Sequence, residues 1–228
     1  MVTLVDLTVK NRWEKEFDKG SNKDYPNIEL VRLEKWFFNN KPGKLIEYGF
    51  GSGVNTCHMA KCGYPIEGID ATDGAVSTAS IKLSDSNLLD KEVNLQSLNP
   101  GAEALPFEDN TFEYAIIISV VSLLGSLERI HLVMSELNRV LKPGGKIIAD
   151  VNTNKSQFAL DGDNIGNHIY VNSGREKNQK EIFCFCPDNE NVFKEIFSKY
   201  FKLIDTGRST SLVMNNSTDE YIYSGIKQ

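Results

Sequence analysis

The 228-residue sequence has no apolar run that could span a bilayer, which takes about 20 consecutive apolar residues. Its longest such stretch, Tyr114 to Val121, has strand length and is interrupted by Ser119. Residues 1–17 carry neither a signal-peptide core nor a small-residue cleavage pattern. A cytoplasmic location with no membrane partner is expected. Positive charge is in deficit: 25 Lys and Arg stand against 31 Asp and Glu, for a net charge of -6. No basic run is present, and a duplex-binding surface needs one to neutralise phosphates. Nucleic acid is therefore not an expected partner. Cysteine is sparse as well. Cys57, Cys62, Cys184 and Cys186 form no Cys-x-x-Cys pair and miss the usual zinc spacings. Free thiols and no metal are expected. Internal repeats and low-complexity tracts are also lacking.

What is present suits one generous domain. Hydrophobic residues make up 40% and charged residues 25%, an ordinary globular balance, and the length allows a three-layer core. The middle of the chain alternates strand and helix patterns. Strands are expected at Lys44–Tyr48, Pro65–Asp70, Val93–Leu98, Phe112–Val121 and Lys146–Val151, with helices at Asn55–Cys62, Ala75–Leu89 and Leu127–Leu141. In the last helix Ile130, Val133, Leu137 and Leu141 recur at helical spacing, and Pro143 with Gly144-Gly145 ends it. Such alternation predicts a parallel sheet with helices on both faces.

The flanks read differently. Residues 152–167 are rich in Asn, Asp, Ser and Gly and read as loop. Two short strands are expected at Asn167–Ser173 and Lys180–Pro187, separated by a polar turn over Gly174–Gln179. Asp188 is placed to cap a helix running to about Lys199. Final strands are expected near Phe201–Met214 and Glu220–Ile226, joined by turn chemistry. Before the sheet, a helix is expected over Ile28–Phe38. The reading is a single domain over residues 1–228, with an N-terminal cap over 1–40 and an inserted lid lobe over about 152–187.

The strongest signal is Leu45-Ile46-Glu47-Tyr48-Gly49-Phe50-Gly51-Ser52-Gly53. A strand enters a turn with three glycines at alternate positions, and a helix leaves it. Glycine permits positive φ and lets a ligand lie against bare backbone, as a nucleotide-like ligand at the end of a parallel strand requires. Glu47 would repel the pyrophosphate of a dinucleotide, and it suits a ligand bearing ammonium and sulfonium charges. The dinucleotide fingerprint also needs glycine at position 54, where this chain has Val54. Asp70 closes the second strand, where an acidic residue can accept both ribose hydroxyls.

These motifs resemble those of the class I S-adenosylmethionine-dependent methyltransferases. Residues 47–53 are similar to the family's first motif and Gly68-Ile69-Asp70 to its second. Residues 102–112 resemble the segment before the fourth strand, and Leu141-Lys142-Pro143-Gly144-Gly145-Lys146 resembles the turn before the fifth. The resemblance spans roughly residues 44–151. It implies a Rossmann-like seven-stranded α/β sheet, mostly parallel with an antiparallel last strand. It implies S-adenosyl-L-methionine as cofactor and S-adenosyl-L-homocysteine as product. It also implies roles. Glu47 contacts the methionine part, while Gly49, Phe50, Gly51 and Gly53 line its side. Asp70 holds the ribose and Ala71 lies beside the adenine. The backbone of Ala102 reaches the adenine edge, with Glu103 close by. Ser119 faces the methyl group. One departure stands out: where relatives often carry an Asp that binds the adenine amino group, this chain has Gly101.

Methyl transfer from a sulfonium needs an aligned lone pair and exclusion of water, and a base only when the acceptor is protonated. His168, near Tyr170 in the lid lobe, is the expected base among three histidines. Trp13, Tyr25, Val120 and Tyr170 are expected to border the substrate. The leading expectation is a methyltransferase for a small-molecule oxygen or nitrogen acceptor. A protein-modifying enzyme, a non-catalytic protein on the same fold and a nicotinamide-dependent oxidoreductase are the alternatives.

Overall fold

The computed structural model describes residues 4–39, 41, 43–100, 102–172, 182–214 and 216–228, the side chains of residues 4–9 excepted. Gly101 and the turn over Gly174–Gln179 lie outside the described residues. In chain order the elements are α1 (Leu4–Asp18), α2 (Ile28–Leu33), β1 (Leu45–Tyr48), α3 (Val54–Lys61), β2 (Ile66–Asp70), α4 (Asp73–Asp85), β3 (Val93–Ser97), β4 (Phe112–Ile117), α5 (Leu127–Val140), β5 (Leu141–Asn152), α6 (Gln157–Leu160), β6 (Asp163–Gly166), β7 (Ile169–Asn172), β8 (Ile182–Phe185), α7 (Glu190–Phe197), β9 (Lys202–Val213) and β10 (Asn216–Ile226). Among the described residues no helix is long and apolar enough to cross a membrane.

Seven strands form one sheet in the order β3-β2-β1-β4-β5-β10-β9. β1 pairs in parallel with β2 and β4, while β10 runs antiparallel to both β5 and β9. This is the Rossmann-like sheet expected from the sequence. Its central strands β1, β4 and β5 are buried on both faces because they carry apolar side chains of both parities. Phe112, Ala115, Ile117 and Ile147 pack with α5 and α7 on one face. Tyr114, Ile116 and Ile148 pack with Leu30, Phe38 and Met59 on the other.

Local chemistry sets the helix ends. The Ser126 hydroxyl accepts from the Arg129 amide and starts α5, whose Ile130, Val133, Met134, Leu137 and Val140 are buried. Thr72 caps α4 in the same way. α1 is held to α4 by Glu14, whose carboxylate accepts from the amides of Asp73 (3.0 Å) and Gly74 (3.1 Å). An anion at those unpaired amides is favoured by the helix dipole.

Several boundaries differ from the sequence reading. β4 stops at Ile117. The apolar run beyond it breaks at Ser119, whose φ is 61°, and Val121–Leu124 forms a 3-10 turn. The expected Ile28–Phe38 helix is α only to Leu33 and continues as a π segment, Glu34–Phe38. Asn189 rather than Asp188 caps α7, its side chain accepting from the Asn191 amide. The stretch read as loop over 152–167 contains α6 and β6. β6, β7 and β8 form a separate antiparallel sheet, which packs through Cys184 and Cys186 against Leu123. β10 begins at Asn216, inside the segment read as turn.

Phe197 is fully buried between Phe193, Phe201 and Tyr223. Phe197→Ala is expected to cost about 3–5 kcal/mol in urea unfolding. A loss under about 1 kcal/mol would mean that this face of the sheet is not packed as described.

Candidate active site

The chain leaves the carboxyl ends of β1, β2 and β4 in diverging directions. Between them lies a cavity of about 480 Å³. This is the point where the strand order reverses, the usual ligand crevice of an open α/β sheet.

The glycine loop forms its floor. Gly49 has φ 80°, and a Cβ there would sit 2.3 Å from Val120 Cγ2. Only glycine permits that approach. Gly51, φ 54°, faces open space on the cavity wall, with no atom within 4 Å of a Cβ position. Gly53 is not on the wall; it packs α3 against Ala79 of α4. Of the other expected residues, Phe50, Asp70, Ala71, Ser119 and Val120 line the cavity, as do Trp13 and Tyr25.

Asp70 is the best-connected of these. Its Oδ2 accepts from the Gly51 amide at 2.9 Å, and its Oδ1 accepts from the Thr72 amide at 3.2 Å and hydroxyl at 3.1 Å. Burial pushes this carboxyl above its ordinary value, and the Gly51 and Thr72 donors pull it back. Glu47 lies beneath the loop, 2% exposed and off the cavity wall. Its Oε2 accepts from the Thr56 hydroxyl at 2.6 Å. Burial pushes Glu47 up to about 7, against the Thr56 bond and with help from the Asp70 charge.

Other expected residues lie elsewhere. Ala102 is off the main cavity: its amide donates to Asn99 O at 2.8 Å and its carbonyl accepts from Arg129 Nη1 at 3.1 Å. The backbone expected at the adenine edge is thus already engaged. Glu103 is exposed and outside the cavity. His168 and Tyr170 are not wall residues either. His168 sits in the β6–β7 turn at φ 60°, with Nδ1 3.5 Å from Asp188 Oδ1 and its ring edge-on to Phe185. That environment holds a turn, and it does not aim an imidazole at the cavity. Tyr170 packs with Phe158 and the buried Cys184 and Cys186.

The structure adds acids that the sequence reading missed. Asp150, 3% exposed, ends the apolar run of β5. Its Oδ1 accepts from the Ser119 amide at 2.6 Å, while its buried Oδ2 has no partner among the described residues. In register, Ile222 opposes Asp150 and Glu220 opposes Asn152, so Glu220 and Asp150 share one face of the sheet. Glu220 and Glu29 line the cavity with Lys23. Burial and then the Glu220 charge hold Asp150 well above the carboxylate range, against the Ser119 amide. Burial raises Glu220 too, with Lys23 pulling it down. A usable signal existed: Asp150, like Asp70, is a carboxylate near the carboxyl end of a buried strand. Glu220 carries no such mark.

Glu47 generates a test. Its folded pKa, about 7, lies above the ordinary 4.5, so the fold holds a proton that the unfolded chain releases. Its contribution to stability therefore falls as pH rises from about 4.5 to about 7 and is level above that. Glu47→Gln is expected to match the parent below pH 4.5 and to exceed it by about 3 kcal/mol above pH 7. Parallel stability–pH curves for the two proteins would refute the buried, protonated carboxyl.

Comparison with known proteins agrees with this geometry. Residues 46–149 match the family described as methyltransferase domain. The ubiquinone/menaquinone biosynthesis C-methyltransferase UbiE of Burkholderia mallei is 32% identical over 111 residues, 48% of this chain and 44% of that protein. The chain thus spans less than half the length of the curated relatives it matches. A methyltransferase of Methanosarcina mazei described as SAM-dependent superposes with a TM-score of 0.71 at 16% identity, over 84% of this chain and 96% of its own. The 1,6-didemethyltoxoflavin-N1-methyltransferase of Burkholderia thailandensis, solved with S-adenosylhomocysteine, gives 0.71 at 12% identity over 100% and 92%. Likeness at such identity speaks to the fold, and the matched domain carries the motifs. Residues 46–149 thus match a methyltransferase domain, and the chain shares its fold with S-adenosylmethionine-dependent methyltransferases.

Proposed function

We propose that the protein is a methyltransferase that uses S-adenosylmethionine to methylate a small-molecule acceptor at nitrogen or oxygen, releasing S-adenosylhomocysteine. The observation that carries this reading is one continuous cavity. It runs from the glycine loop and Asp70, past Ser119 and Val120, to Glu29 and Glu220. The sheet order supports that sequence of contacts, since β4 lies between β1 and β5, and β10 follows β5. The volume suits small molecules.

The residues fit the cofactor on two counts. Gly51 offers bare backbone to open space, and the wall carboxylates Asp70, Glu29 and Glu220 favour a ligand with cationic groups. Bound there, S-adenosylmethionine supplies a methyl group activated by a sulfonium. Asp70 receives the ribose hydroxyls. Leu98 and Pro100 border the adenine, a role that Ala102 cannot take through its engaged amide. Glu47 acts from below the loop, holding the Thr56 hydroxyl without touching the ligand. Ser119, fixed by Asp150, and Val120 form the wall between the cofactor and acceptor ends. At the acceptor end Glu220 takes the proton of an N–H or O–H group, since a carboxyl raised by burial is better matched to that task. Trp13 and Tyr25 flank the cavity from the N-terminal segment and limit water. His168 has no part in this chemistry.

Calorimetric titration with S-adenosylmethionine and S-adenosylhomocysteine separately is expected to give micromolar binding of both. Absence of both would remove the cofactor assignment. Asp70→Asn, which keeps shape and loses charge, is expected to weaken S-adenosylhomocysteine by at least tenfold, because charge-assisted hydrogen bonds contribute about 1.5–3 kcal/mol each. Unchanged affinity would put the ribose elsewhere. Glu220→Gln is expected to lower kcat on an acceptor found by screening small amines and alcohols, while S-adenosylhomocysteine affinity holds. Normal turnover in that variant would retire Glu220 as the proton acceptor.

A further inference from the structure

Beside the end of α3, beyond the helix turn that touches the cavity, three potential metal ligands converge. Glu34 opens the π segment Glu34–Phe38, while His58 lies in the last turn of α3 and Cys62 caps its end. One donor atom from each lies within 4.8 Å of the other two. Cys62 Sγ is 3.7 Å from His58 Nε2. Zinc bonds of about 2.3 Å to sulfur and about 2.05 Å to nitrogen, opened at the tetrahedral angle, set those atoms roughly 3.6 Å apart. The pair is therefore pre-spaced for one metal ion, with no rotamer change demanded by that distance.

We propose that Glu34, His58 and Cys62 form a Zn2+ site with three protein ligands and one solvent ligand. The donor set is right for zinc: thiolate, imidazole and carboxylate together select it over hard cations such as Mg2+. The charge balances, because one thiolate and one carboxylate neutralise the ion at a half-buried place. The bond forms between the thiolate and the metal as the thiol proton leaves to solvent. Tyr64 completes the arrangement by donating its hydroxyl to Glu34 Oε1 at 2.9 Å, an outer contact of the kind that orients a ligating carboxylate. Glu34 is 4% exposed while Cys62 is exposed, so the site has a fixed wall and an open entry for the ion.

The position gives the site a use. Glu34 continues the helix whose first residues, Asn27 to Glu29, line the cavity. His58 and Cys62 belong to the helix that leaves the glycine loop. The two elements already touch at the other end, where the Asn27 amide donates to Asn55 Oδ1 at 2.9 Å. A metal at Glu34, His58 and Cys62 pins them at a second point and fixes one side of the cavity.

The test is titration of the full chain, stripped with chelator, first with Co2+ and then with Zn2+. The expected result is one equivalent of Co2+ with a thiolate-to-cobalt charge-transfer band, displaced by Zn2+. Zn2+ at a hundredfold excess over Kd is expected to raise Tm by about 5–10 °C. Cys62→Ser is expected to abolish the band, and His58→Ala to weaken binding at least tenfold. Tyr64→Phe is expected to weaken it about 10–100-fold. Circular dichroism checks that each variant is folded. No charge-transfer band in the folded parent, or a band that survives Cys62→Ser, would overturn the proposal. The titration reads neither cofactor binding nor turnover, so its failure leaves the proposed function standing.

Discussion

The contact on which most of this molecule's cavity depends is the hydrogen bond from the Gly51 amide to Asp70. It joins the loop after β1 to the last residue of β2. The same carboxylate accepts from Thr72, and the Thr72 hydroxyl in turn accepts from the Ala75 amide at the start of α4. Glu14 of α1 holds the neighbouring amides of that helix. One acidic side chain is therefore the first link of a chain running from the glycine loop through β2 and α4 to the N-terminal helix. Apart from the Thr72 hydroxyl on Asp70, each link is an anion or hydroxyl meeting backbone amides at a turn or a helix start, where such groups bind strongly.

Charge is concentrated at the same end of the sheet. Glu47, Asp70 and Asp150 stand at or near the ends of β1, β2 and β5, and burial pushes each above its ordinary value. The Asp70 charge opposes that of Glu47 and the Glu220 charge opposes that of Asp150, so these carboxyls cost stability in an empty fold. The cost is reduced when a cation arrives. That pattern is expected of a binding site selected for a positively charged ligand, and it is hard to explain by packing, which apolar residues would serve better.

The lobe built by β6 to β8 and the N-terminal segment play unequal parts. The lobe's own sheet, β6 to β8, anchors through buried Cys184 and Cys186 against the turn after β4. It shapes the cavity from behind, through Leu123. The N-terminal segment reaches the cavity directly with Trp13, Phe17 and Tyr25. Phe17 also packs where Gly74 has no side chain, since a Cβ there would meet it at 2.8 Å.

The sequence by itself determined the parallel core, the glycine loop and Asp70, because these depend on short-range requirements. Apolar runs of strand length, a turn needing positive φ and a carboxylate ending a strand are all visible in adjacent residues. Helix capping was not legible in detail: Ser126 and Thr72 emerge as caps only in the structure, and the choice of Asn189 over Asp188 turned on a single residue's backbone. Only the tertiary structure decided which distant residues meet. Glu220 reaches the cavity through the register of β10 on β5, and a one-residue slip would turn it to the other face. Asp150 meets the cavity-lining Ser119 because Ser119, beyond the end of β4, takes a positive φ and presents its amide. His168 lies off the cavity wall, in a turn that sets it beside Asp188. Glu34 and Cys62 are far apart in sequence, and only the packing of the N-terminal helix on α3 brings a carboxylate to an i, i+4 His–Cys pair. Register, turn handedness and helix docking are settled by the summed packing of the whole chain, so no local stretch of sequence records them.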